Sequence, residues 1–389
     1  MTPAARVQAA VEVLDRILSG TPAEQALTGW ARASRYAGSG DRAAVRDHVF
    51  DVLRRRRSCL ARSGLAESGR ALMIGAKDDG ERAALFTGTP HAPAPLSAGE
   101  LAALSEAPAE MPDPVRLNYP DWLDPALRQA LGDDLAPVMA AQCQRAPVFL
   151  RVNPRKADIA AITQALAAEG VVSQVRDDVP GALQVIEGAS KINQSRAFHD
   201  GMVELQDLSS QAAVAALPLR DGMRVLDYCA GGGGKILAVA GHITGRFTAH
   251  DVAFARMTDL PGRTARAGVR VRLARTNELA SGGHDLVLAD APCSGSGTWR
   301  RTPDAKWRLT ADRLDDLCAL QARVLDQAAR HVGPGGLLAY MTCSLLLAEN
   351  EAQVVAFQAR NSGATLVDQR RFSPLTGGDG FFLAVLRLA

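Results

Sequence analysis

Apolar residues near the start of the chain recur at the spacing of an α-helix. Val7, Val11 and Leu14 lie three or four positions apart, so they would share one face of a helix. Gly20-Thr21-Pro22 ends this run, and its threonine is a candidate N-cap for the helix that follows. Because the same periodicity continues beyond this break, the pattern predicts an all-α domain over residues 1–72.

The pattern changes twice before the middle of the chain. Residues 73–120 are rich in glycine and proline, which predicts a linker or irregular segment. Residues 121–204 combine helical periods with short apolar runs, which predicts a small α+β module. Its expected elements are a helical stretch at Trp122–Gln144, a strand at Val148–Val152, a helix at Ile159–Glu169, and strands at Val171–Val175 and Leu183–Ile186.

Across residues 205–389, short apolar runs alternate with amphipathic stretches. Strands separated by helices favour a parallel sheet with crossover connections, so the expected fold class of this domain is α/β. A binding site should then lie at the carboxyl ends of the strands. The expected strands are Arg224–Tyr228, Arg246–His250, Val269–Leu273, Asp285–Ala289 and Gly336–Met341, with a long helix at Asp312–Val332 before the last of them.

Composition narrows the possible classes of function. The 389 residues are 47% hydrophobic, but no run of about 18 or more apolar residues occurs, so no membrane span is expected. The N-terminus lacks the basic region and apolar stretch typical of a signal peptide, and the cytosol is the expected location. The six cysteines are far apart and form no CxxC pair, which argues against a disulfide framework or a metal site.

Charge is distributed unevenly, although the formal net charge is only +2. Residues 1–70 hold 12 arginines against 7 acidic residues, and residues 77–134 hold 4 basic against 11 acidic residues. Such asymmetry is typical of a protein with a basic face for a polyanion. The run Arg54–Arg57 fits that interpretation, and it fits a solvated helix end equally well.

The first expected strand of the α/β region ends in Asp227-Tyr228 and leads into a glycine-rich turn at 229–235. Such a turn lets backbone amides approach a ligand closely, and its spacing fits neither the dinucleotide GxGxxG nor the phosphate-binding GxxxxGK[ST] motif. Asp251 ends the next strand, where it can hydrogen-bond the ribose of a nucleoside or cap a helix. The pattern is typical of an adenosylmethionine site, and an ordinary βα turn is the alternative.

The fourth and fifth expected strands each lead into a loop that carries a cysteine. Asp290-Ala291-Pro292-Cys293-Ser294 follows the fourth strand, and Thr342-Cys343-Ser344 follows the fifth. If these strands are neighbours, both thiols reach one pocket; the alternative is two buried cysteines with no shared role. The basic and tryptophan side chains of 299–308 can contact phosphates and bases, although the tryptophans also suit a core.

A pair of thiols beside a methyl donor suits one demanding reaction. Carbon 5 of cytosine is a poor nucleophile, but addition of a thiolate to carbon 6 produces an enamine that can attack an electrophilic methyl group. The thiol must be ionised, and a hydrogen bond to the N3 and N4 edge of the base would stabilise the developing charge. After methyl transfer, the proton on carbon 5 and the thiolate must both leave.

These motifs together resemble the NOL1/NOP2/Sun family of RNA 5-cytosine methyltransferases over residues 145–389. The resemblance implies a Rossmann-like class I methyltransferase domain at 205–389 and an RRM-like module before it, while residues 1–72 resemble an all-α, NusB-type RNA-binding domain. The stretches that carry it are DAPCSGSGTWRRTPDAKW (Asp290–Trp307), YMTCSLLLAENEAQV (Tyr340–Val354), LRVNPRKAD (Leu150–Asp158), VELQDLSSQ (Val203–Gln211), LDYCAGGGGK (Leu226–Lys235) and DGFF (Asp379–Phe382).

The resemblance also implies roles for individual residues. It makes Cys343 the nucleophile that adds to carbon 6, Cys293 the cysteine needed for product release, Asp290 a neighbour of the reacting base and Lys235 an active-site lysine. The implied cofactor is S-adenosyl-L-methionine, and the implied partner is RNA, with 16S rRNA expected first and tRNA next; a monomer without a metal is expected. The implied cofactor-binding residues are Cys229, Ala230, Gly231, Gly232, Gly233, Gly234, Lys235, Asp251, Arg256, Asn277 and Asp290.

The sequence departs from the family pattern in two features. The family's loop usually reads CAAPGGK, whereas Gly231 and Gly232 stand here for Ala and Pro; this loosens the unfolded chain and predicts weaker cofactor binding. The aspartate that usually binds the adenine amine is missing, and Asn277 is the candidate replacement. These departures favour one alternative, a non-catalytic RNA-binding or ribosome-assembly protein on a methyltransferase scaffold. A methyltransferase of exocyclic amines is a third possibility, but it would need an Asn/Asp-Pro-Pro-aromatic loop and no thiol.

Overall fold

The chain divides between two units and passes from one to the other three times. The computed structural model describes residues 1–108 and 110–389. The first unit comprises residues 1–145 together with Trp299–Leu309, and the second comprises residues 146–298 and 310–389. The unit boundary near residue 145 lies later than the expected start of the α+β module at residue 121, because the helices that precede the first strand belong to the first unit.

The first unit is built from helices whose apolar faces form one core. Thr2 caps the first helix by accepting a hydrogen bond from the Ala5 N–H at 3.1 Å, and Pro3 occupies the first helical position. Val7 and Leu14 are fully buried in the shared core, which confirms the all-α prediction. The helices are α1 (Pro3–Leu18), α2 (Ala23–Ala33), α3 (Ser39–Arg54), α4 (Arg56–Ser63), α5 (Gly69–Ala76), α6 (Asp79–Leu85), α7 (Ala98–Glu106), α8 (Asp113–Arg116), α9 (Asp124–Leu131), α10 (Leu135–Gln142) and, from the later segment, α16 (Pro303–Arg308).

Residues 73–120 contain short helices where the sequence predicted an irregular segment. Two of them, α6 and α7, begin with a capping box in which a side chain and a glutamate exchange hydrogen bonds with the backbone of the first turn. The pairs are Asp78 with Glu81 and Ser97 with Glu100. The prediction of a linker or irregular segment is therefore corrected. Each capping box is a four-residue signal for the start of a helix, and the high glycine and proline content of the segment obscured these signals.

The run of four arginines between α3 and α4 is partly neutralised within the first unit. Arg56 forms an ion pair with Glu67 at 2.6 Å, and Arg57 forms one with Asp121 at 2.6 Å. The acidic partner of Arg57 comes from the segment in which acidic residues predominate. Part of the charge asymmetry seen along the sequence is thus used for pairing inside the unit rather than for a single basic face.

The segment Trp299–Leu309 covers the C-terminal end of α3. Lys306 Nζ donates to the carbonyl of Arg54 at 3.2 Å, and Trp307 Nε1 donates to the carbonyl of Leu53 at 2.7 Å. These bonds satisfy carbonyl groups that the end of a helix leaves without partners. Lys306 is fully buried, and burial lowers its pKa to about 8. Its place in a basic segment had suggested a contact with phosphate. Because Lys306 is buried, it instead stabilises the packing of the unit.

The second unit begins with a four-stranded antiparallel sheet in the order β2-β3-β1-β4. Its elements are β1 (Val148–Val152), α11 (Ile159–Ala168), β2 (Val172–Arg176), β3 (Ala182–Glu187), α12 (Arg196–His199) and β4 (Val203–Leu205). Leu150, Ile162 and Leu183 are fully buried between the sheet and its helices. The βαββαβ order is that of a ferredoxin-like fold, which confirms the small α+β module expected from the sequence.

The rest of the second unit is a seven-stranded sheet in the order β10-β11-β9-β8-β5-β6-β7. The strands β5 to β9 run parallel to one another, whereas β11 is antiparallel to β9 and β10 is antiparallel to β11. The elements are β5 (Arg224–Asp227), β6 (Arg246–His250), β7 (Val271–Ala274), β8 (His284–Asp290), β9 (Val332–Thr342), β10 (Thr365–Phe372), β11 (Phe381–Arg387), α13 (Leu208–Ala215), α14 (Gly234–His242), α15 (Leu260–Ala267), α17 (Ala311–Ala329) and α18 (Glu351–Arg360). The Rossmann-like α/β prediction is confirmed, and the antiparallel pair β10–β11 is an addition to it.

Apolar side chains cover both faces of the central strands. Along β8, Leu286 and Leu288 pack into a core with the side chains of α14, while Val287 and Ala289 pack on the other face with those of α17. All four are fully buried. A parallel strand covered by helices on both faces requires such a continuous apolar run, which is why this strand could be located from the sequence.

Polar side chains just after β1 tie the four-stranded sheet to the helices of the seven-stranded sheet. Asn153 Nδ2 donates to the carbonyls of Gly201 at 3.0 Å and Ala267 at 2.9 Å, the second of which ends α15. Arg155 Nε donates to the carbonyl of Ala240 in α14 at 2.7 Å. The LRVNPRKAD stretch therefore has a structural role, because it pairs buried carbonyl groups that would otherwise lack donors.

Substitution Asn153→Ala should destabilise the protein by about 2–3 kcal/mol, because it leaves two buried carbonyl groups without donors. Urea unfolding followed by circular dichroism measures the change. The matched control is Asn193→Ala at an exposed position, where a change within about 0.5 kcal/mol is expected. Equal stability of the two variants would show that Asn153 does not join the two sheets energetically.

Candidate active site

The candidate site lies where the order of strands in the seven-stranded sheet reverses. β6 and β7 lie on one side of β5, whereas β8 and β9 lie on the other. The loops that leave the carboxyl ends of β5 and β8 therefore diverge and form a crevice, which is where ligands bind in open α/β sheets. The glycine-rich turn follows β5, and Asp290 ends β8. The structure thus brings two of the predicted motifs to one edge of the sheet.

Backbone geometry explains two glycines of the turn. Gly231 and Gly233 have φ angles of +50° and +81°, which favour glycine. A Cβ atom on Gly233 would lie 2.2 Å from Leu260 Cδ1, so no larger residue fits there. Asp251 holds the turn, since its Oδ2 accepts hydrogen bonds from the Gly231 N–H at 3.0 Å and from Arg256 Nη1 at 3.1 Å.

A further contact of this turn involves Gly232, one of the two glycines at which the turn departs from the family's loop. Arg263 Nη1 donates to the Gly232 carbonyl, and its Nη2 donates to Glu204 at 2.9 Å. A Cβ atom on Gly232 would lie 3.0 Å from Arg263 Nη1. The arginine therefore occupies space that a side chain at this position would need, and it braces the folded turn from outside. The hydrogen bond from Arg263 stabilises the folded turn, whereas the sequence alone predicted a turn made less stable by its extra glycines.

The two residues predicted to bind the nucleoside differ in their surroundings. Asp251 is buried, and its Oδ1 also accepts a hydrogen bond from the Ala253 N–H at 2.9 Å. It does not cap a helix, because Ala253 is the N-cap of the 3₁₀ turn that follows. Asn277 is exposed in the turn after β7, next to Thr276, whose Oγ1 lies 2.9 Å from His250 Nε2. Ribose binding by the first and adenine binding by the second stay predictions.

Lys235 and Asp290 form an ion pair between the first turn of α14 and the end of β8. Lys235 Nζ lies 2.5 Å from Asp290 Oδ2 and 5.1 Å from the ring centroid of Phe381. Burial alone would lower the pKa of Lys235, but the charge and the hydrogen bond of Asp290 raise it above its usual value. The lysine therefore stays cationic, held between a carboxylate and an aromatic face.

Phe381 is a site residue that sequence reasoning missed. It begins β11, and the only signal for it was its place in the DGFF stretch. Asp207 Oδ1 accepts a hydrogen bond from the Asp379 N–H at 3.0 Å, and Ser209 Oγ donates to the Asp379 carbonyl at 2.6 Å. The Gly380 N–H then donates to the carbonyl of Gly297 at 2.9 Å. The stretches VELQDLSSQ and DGFF are thus joined by hydrogen bonds. These bonds help to place Phe381 beside Lys235.

Asp227 is a buried carboxyl group at the start of the glycine-rich turn. Its side chain is 1% exposed, and its Oδ1 has no hydrogen-bond partner among the residues that the structure describes. Burial raises its pKa to about 7, although the charge of Lys235 opposes this. Burial also raises the pKa of the Cys229 thiol, which therefore lines the turn as a neutral group. A buried carboxyl with one oxygen left without a partner, beside a glycine turn, suits a cationic ligand group, and the ammonium of adenosylmethionine is such a group.

The thiols of Cys293 and Cys343 meet at the same edge of the sheet. Their Sγ atoms are 3.4 Å apart, and both lie on loops that leave the neighbouring parallel strands β8 and β9. The hydrogen bond to Cys343, together with burial, raises the pKa of Cys293 well above its usual value. Cys293 therefore keeps its proton, and in the contact between the two thiols either sulfur can be the hydrogen-bond donor.

Other features of the second unit do not point to this chemistry. A cavity of about 780 Å³ opens at the opposite, amino-terminal edge of the seven-stranded sheet, where Met223, Asp285 and Leu337 line it away from both thiols. In the described part of the chain, no three His, Cys, Asp or Glu side chains are grouped as metal ligands would be. None of the described helices is long and apolar enough to cross a membrane.

Two parts of the chain are similar to known methyltransferases. Residues 214–387 match the family described as 16S rRNA methyltransferase RsmB/F, and residues 119–192 match the ferredoxin-like domain of the RsmF/B-like methyltransferases. Ribosomal RNA small subunit methyltransferase B from two strains of Xylella fastidiosa is 36% identical over 291 residues, which cover 69% of this chain. The match spans about two thirds of the length of these relatives, 66% of one and 68% of the other.

A solved structure extends the comparison to the fold. The crystal structure of a methyltransferase homologue protein from Pyrococcus horikoshii has a TM-score of 0.62 to this protein, with 26% sequence identity. The similarity covers 71% of this chain and 98% of the other. The fold of the two sheets is therefore shared with a known methyltransferase homologue.

Substitution Asp227→Asn should stabilise the protein without cofactor at pH 8 and weaken cofactor binding. The raised pKa of Asp227 means that folding favours the protonated form, so its stabilising effect is present below about pH 4 and is lost as the pH rises through about 7. An uncharged amide avoids that loss, and the gain at pH 8 should be on the order of 1–3 kcal/mol. The gain should shrink towards pH 4.

Urea unfolding at both pH values and calorimetry with S-adenosylmethionine measure the two effects, with exposed Asp259→Asn as the control. The affinity for S-adenosylmethionine should fall at least about tenfold, because the cationic ammonium loses its carboxylate. Unchanged affinity in Asp227→Asn would exclude Asp227 from the cofactor site.

Proposed function

Because the chain belongs to the 16S rRNA methyltransferase RsmB/F family, we propose that it methylates carbon 5 of a cytosine in RNA. The proposed substrate is the small-subunit rRNA, and the proposed methyl donor is S-adenosylmethionine. The observation that carries the proposal is the 3.4 Å separation of the Cys293 and Cys343 Sγ atoms beside the Lys235–Asp290 ion pair. A methyltransferase of exocyclic amines has no use for two adjoining thiols.

The residues around the crevice fit the cofactor in two respects. The turn at 229–234 brings its backbone close to a ligand, and Asp227 Oδ1, which has no hydrogen-bond partner within the described chain, suits the methionine ammonium. Asp251 remains the proposed partner of the ribose hydroxyls, and Asn277 the proposed partner of the adenine amine. When bound, the cofactor supplies an electrophilic methyl group, and every other step belongs to side chains of the protein.

In the proposed reaction, Cys343 acts as the nucleophile. Its thiolate adds to carbon 6 of cytosine, which makes carbon 5 nucleophilic enough to take the methyl group. Lys235 holds Asp290 through Oδ2, and the Asp290 side chain remains about one third exposed. Asp290 can therefore accept a hydrogen bond from the N4 amino group and orient the base. Solvent water then takes the proton from carbon 5, the electrons of the C5–H bond restore the C5–C6 double bond, and the C6–S bond breaks to release the Cys343 thiolate; Cys293 assists this release.

The first unit offers a surface for RNA. Arg32, Arg35, Arg42 and Arg46 are exposed, and they form no ion pair within the part of the chain that the structure describes. Tyr36, which lies among them in sequence, is 75% exposed. Arg42 and Arg46 also line a shallow cavity between α2 and α3. Free guanidinium groups bind phosphates, and an exposed aromatic ring stacks on a base, so we assign RNA binding to this surface. A cytosolic location and a monomeric state remain predictions.

The two cysteines should fail in different ways when each is replaced. Cys343→Ala should abolish methyl transfer to RNA, because no thiolate can add to carbon 6. Cys293→Ala should accumulate a covalent protein–RNA adduct, because release stalls after methyl transfer. Transfer of tritiated methyl groups and denaturing gel electrophoresis measure these outcomes, with Cys318→Ala as the control on α17. Full activity of Cys343→Ala would refute the covalent mechanism, and bisulfite sequencing identifies the modified RNA as rRNA or tRNA.

The double substitution Arg42→Ala/Arg46→Ala should weaken RNA binding and make it less dependent on salt. The loss of two phosphate contacts should reduce the slope of log K against log[salt] by about 1.4–1.8. Filter binding or fluorescence anisotropy at several salt concentrations measures the slope. The control Arg323→Ala/Arg330→Ala removes the same charge from exposed positions on and after α17. Identical slopes for the two double variants would show that the surface on α3 does not contact RNA.

A further inference from the structure

A single buried carboxylate connects the loops that carry the two thiols. Glu349 has no exposed surface, and both of its oxygens accept hydrogen bonds. Oε1 accepts from the Ser294 N–H at 2.7 Å and from Gln321 Nε2 at 3.0 Å. Oε2 accepts from the hydroxyl groups of Ser294 and Ser344. One carboxylate is thus held by four donors from three separate parts of the chain.

Three of the four donors belong to the immediate neighbours of the two cysteines in sequence. Ser294 follows Cys293, and Ser344 follows Cys343. A displacement of either loop would break a hydrogen bond to the same buried charge, and an unpaired buried charge costs far more than a neutral group. The separation of the two sulfur atoms is therefore coupled to the position of Glu349.

Glu349 is itself fixed by bonds to the backbone around it. The Tyr340 hydroxyl donates to the Glu349 carbonyl at 2.7 Å. Gln321 Nε2, which contacts the carboxylate from α17, also donates to the Pro292 carbonyl at 2.9 Å. Asn350 Nδ2 donates to the Ser344 carbonyl at 2.9 Å. The carboxylate has little freedom to move, so it can serve as a fixed reference for both loops.

We propose that Glu349 is a positioning residue that holds the Cys293 and Cys343 thiols at the separation needed for catalysis. This inference rests on the proposed function, in which the two thiols act on one base. Glu349 does not touch the reacting atoms, and it acts through Ser294 and Ser344. A purely structural role would need no charge here, because well-packed apolar groups can replace a buried ionic network without loss of stability.

The charge of Glu349 has a second consequence for Cys293. It adds to the effects of the Cys343 hydrogen bond and burial in raising the pKa of Cys293. Tyr340 and Cys318, the other titratable groups near Glu349, are neutral because burial raises their own pKa values. Glu349 thus helps to keep Cys293 protonated.

The first test measures thiol separation without RNA or cofactor. Diamide oxidises two adjacent thiols to a disulfide; the two thiol protons and two electrons pass to the diamide, which becomes the hydrazine. The wild-type sulfur atoms need to approach from 3.4 Å to about 2.05 Å. Mass spectrometry of peptides gives the rate of the Cys293–Cys343 bond. We expect Glu349→Ala to slow it at least about tenfold, because the thiols are no longer held together.

The matched control for this test is Glu351→Gln, two residues further on. Glu351 pairs with Arg371 at 2.5 Å through Oε1, and its Oε2 has no hydrogen-bond partner among the described residues, so its substitution should change the rate less than about twofold. Equal rates of disulfide formation in Glu349→Ala and the wild type would overturn the proposal. If Glu349→Ala does not fold, Ser294→Ala and Ser344→Ala can replace it, because each removes one hydroxyl donor to Glu349. Rates of disulfide formation in both variants equal to the wild-type rate would also overturn the proposal.

The second test separates the charge of Glu349 from its shape. Glu349→Gln keeps the size of the side chain but removes the charge, so the pKa of Cys293 should fall. Alkylation of Cys293 by iodoacetamide should then reach half its maximal rate at a lower pH than in the wild type. A shift to lower pH supports the proposal, whereas an unchanged or higher pH contradicts the electrostatic part of it. A residue with a merely structural role would not move this profile.

Methyl-transfer kinetics decide between failure of this inference and failure of the proposed function. In Glu349→Ala, kcat should fall at least about a hundredfold, while KM for S-adenosylmethionine should stay within about twofold, because Glu349 is not part of the cofactor site. Wild-type protein that transfers no methyl group to RNA would refute the proposed function, even if disulfide formation depends on Glu349. Wild-type activity that survives in Glu349→Ala would refute this inference alone.

Discussion

The parallel pairing of β8 with β9 is the constraint on which the rest of the site depends. Asp290 lies opposite Met341 in the register of these strands, and the Ala291 N–H donates to the Met341 carbonyl at 2.9 Å. Both strands therefore end at the same level, and each is followed within three residues by a cysteine. A shift of register by a single residue would point these side chains to opposite faces of the sheet, and the thiols could not meet.

Much of this arrangement could be predicted from the sequence because it is encoded locally. The run Leu286–Ala289 is apolar on both faces, which marks a central parallel strand. The positive φ angles of Gly231 and Gly233 require glycine, so the turn after β5 was visible as a motif. Since parallel strands end at one edge, motifs at strand ends predict a shared site even when the order of strands is unknown.

The features that could not be predicted depend on contacts between distant parts of the chain. Phe381 reaches Lys235 only because β11 pairs antiparallel with β9, and no local period reveals that pairing. Arg263, on a helix that follows the next strand, donates a hydrogen bond to the Gly232 carbonyl. The sequence therefore predicted a less stable glycine turn than the fold provides. Lys306 lies in a basic segment but is buried, because composition cannot distinguish a helix-end partner from a phosphate ligand.

The three carboxyl groups of the site differ in the partners that balance their charge, and they therefore suit different roles. Glu349 is balanced by four hydrogen-bond donors, and Asp290 is balanced by Lys235. Asp227 is the least balanced of the three, since its Oδ1 lacks a partner within the described chain, and the charge of Lys235 and a backbone hydrogen bond from Ile236 only partly offset its burial. Burial of an incompletely paired carboxyl group is costly, and a fold keeps it only where something offsets that cost. Protonation offsets the cost in the protein alone, because burial raises the pKa of Asp227 to about 7. Above that pH, a cationic ligand group at the glycine turn would offset it instead.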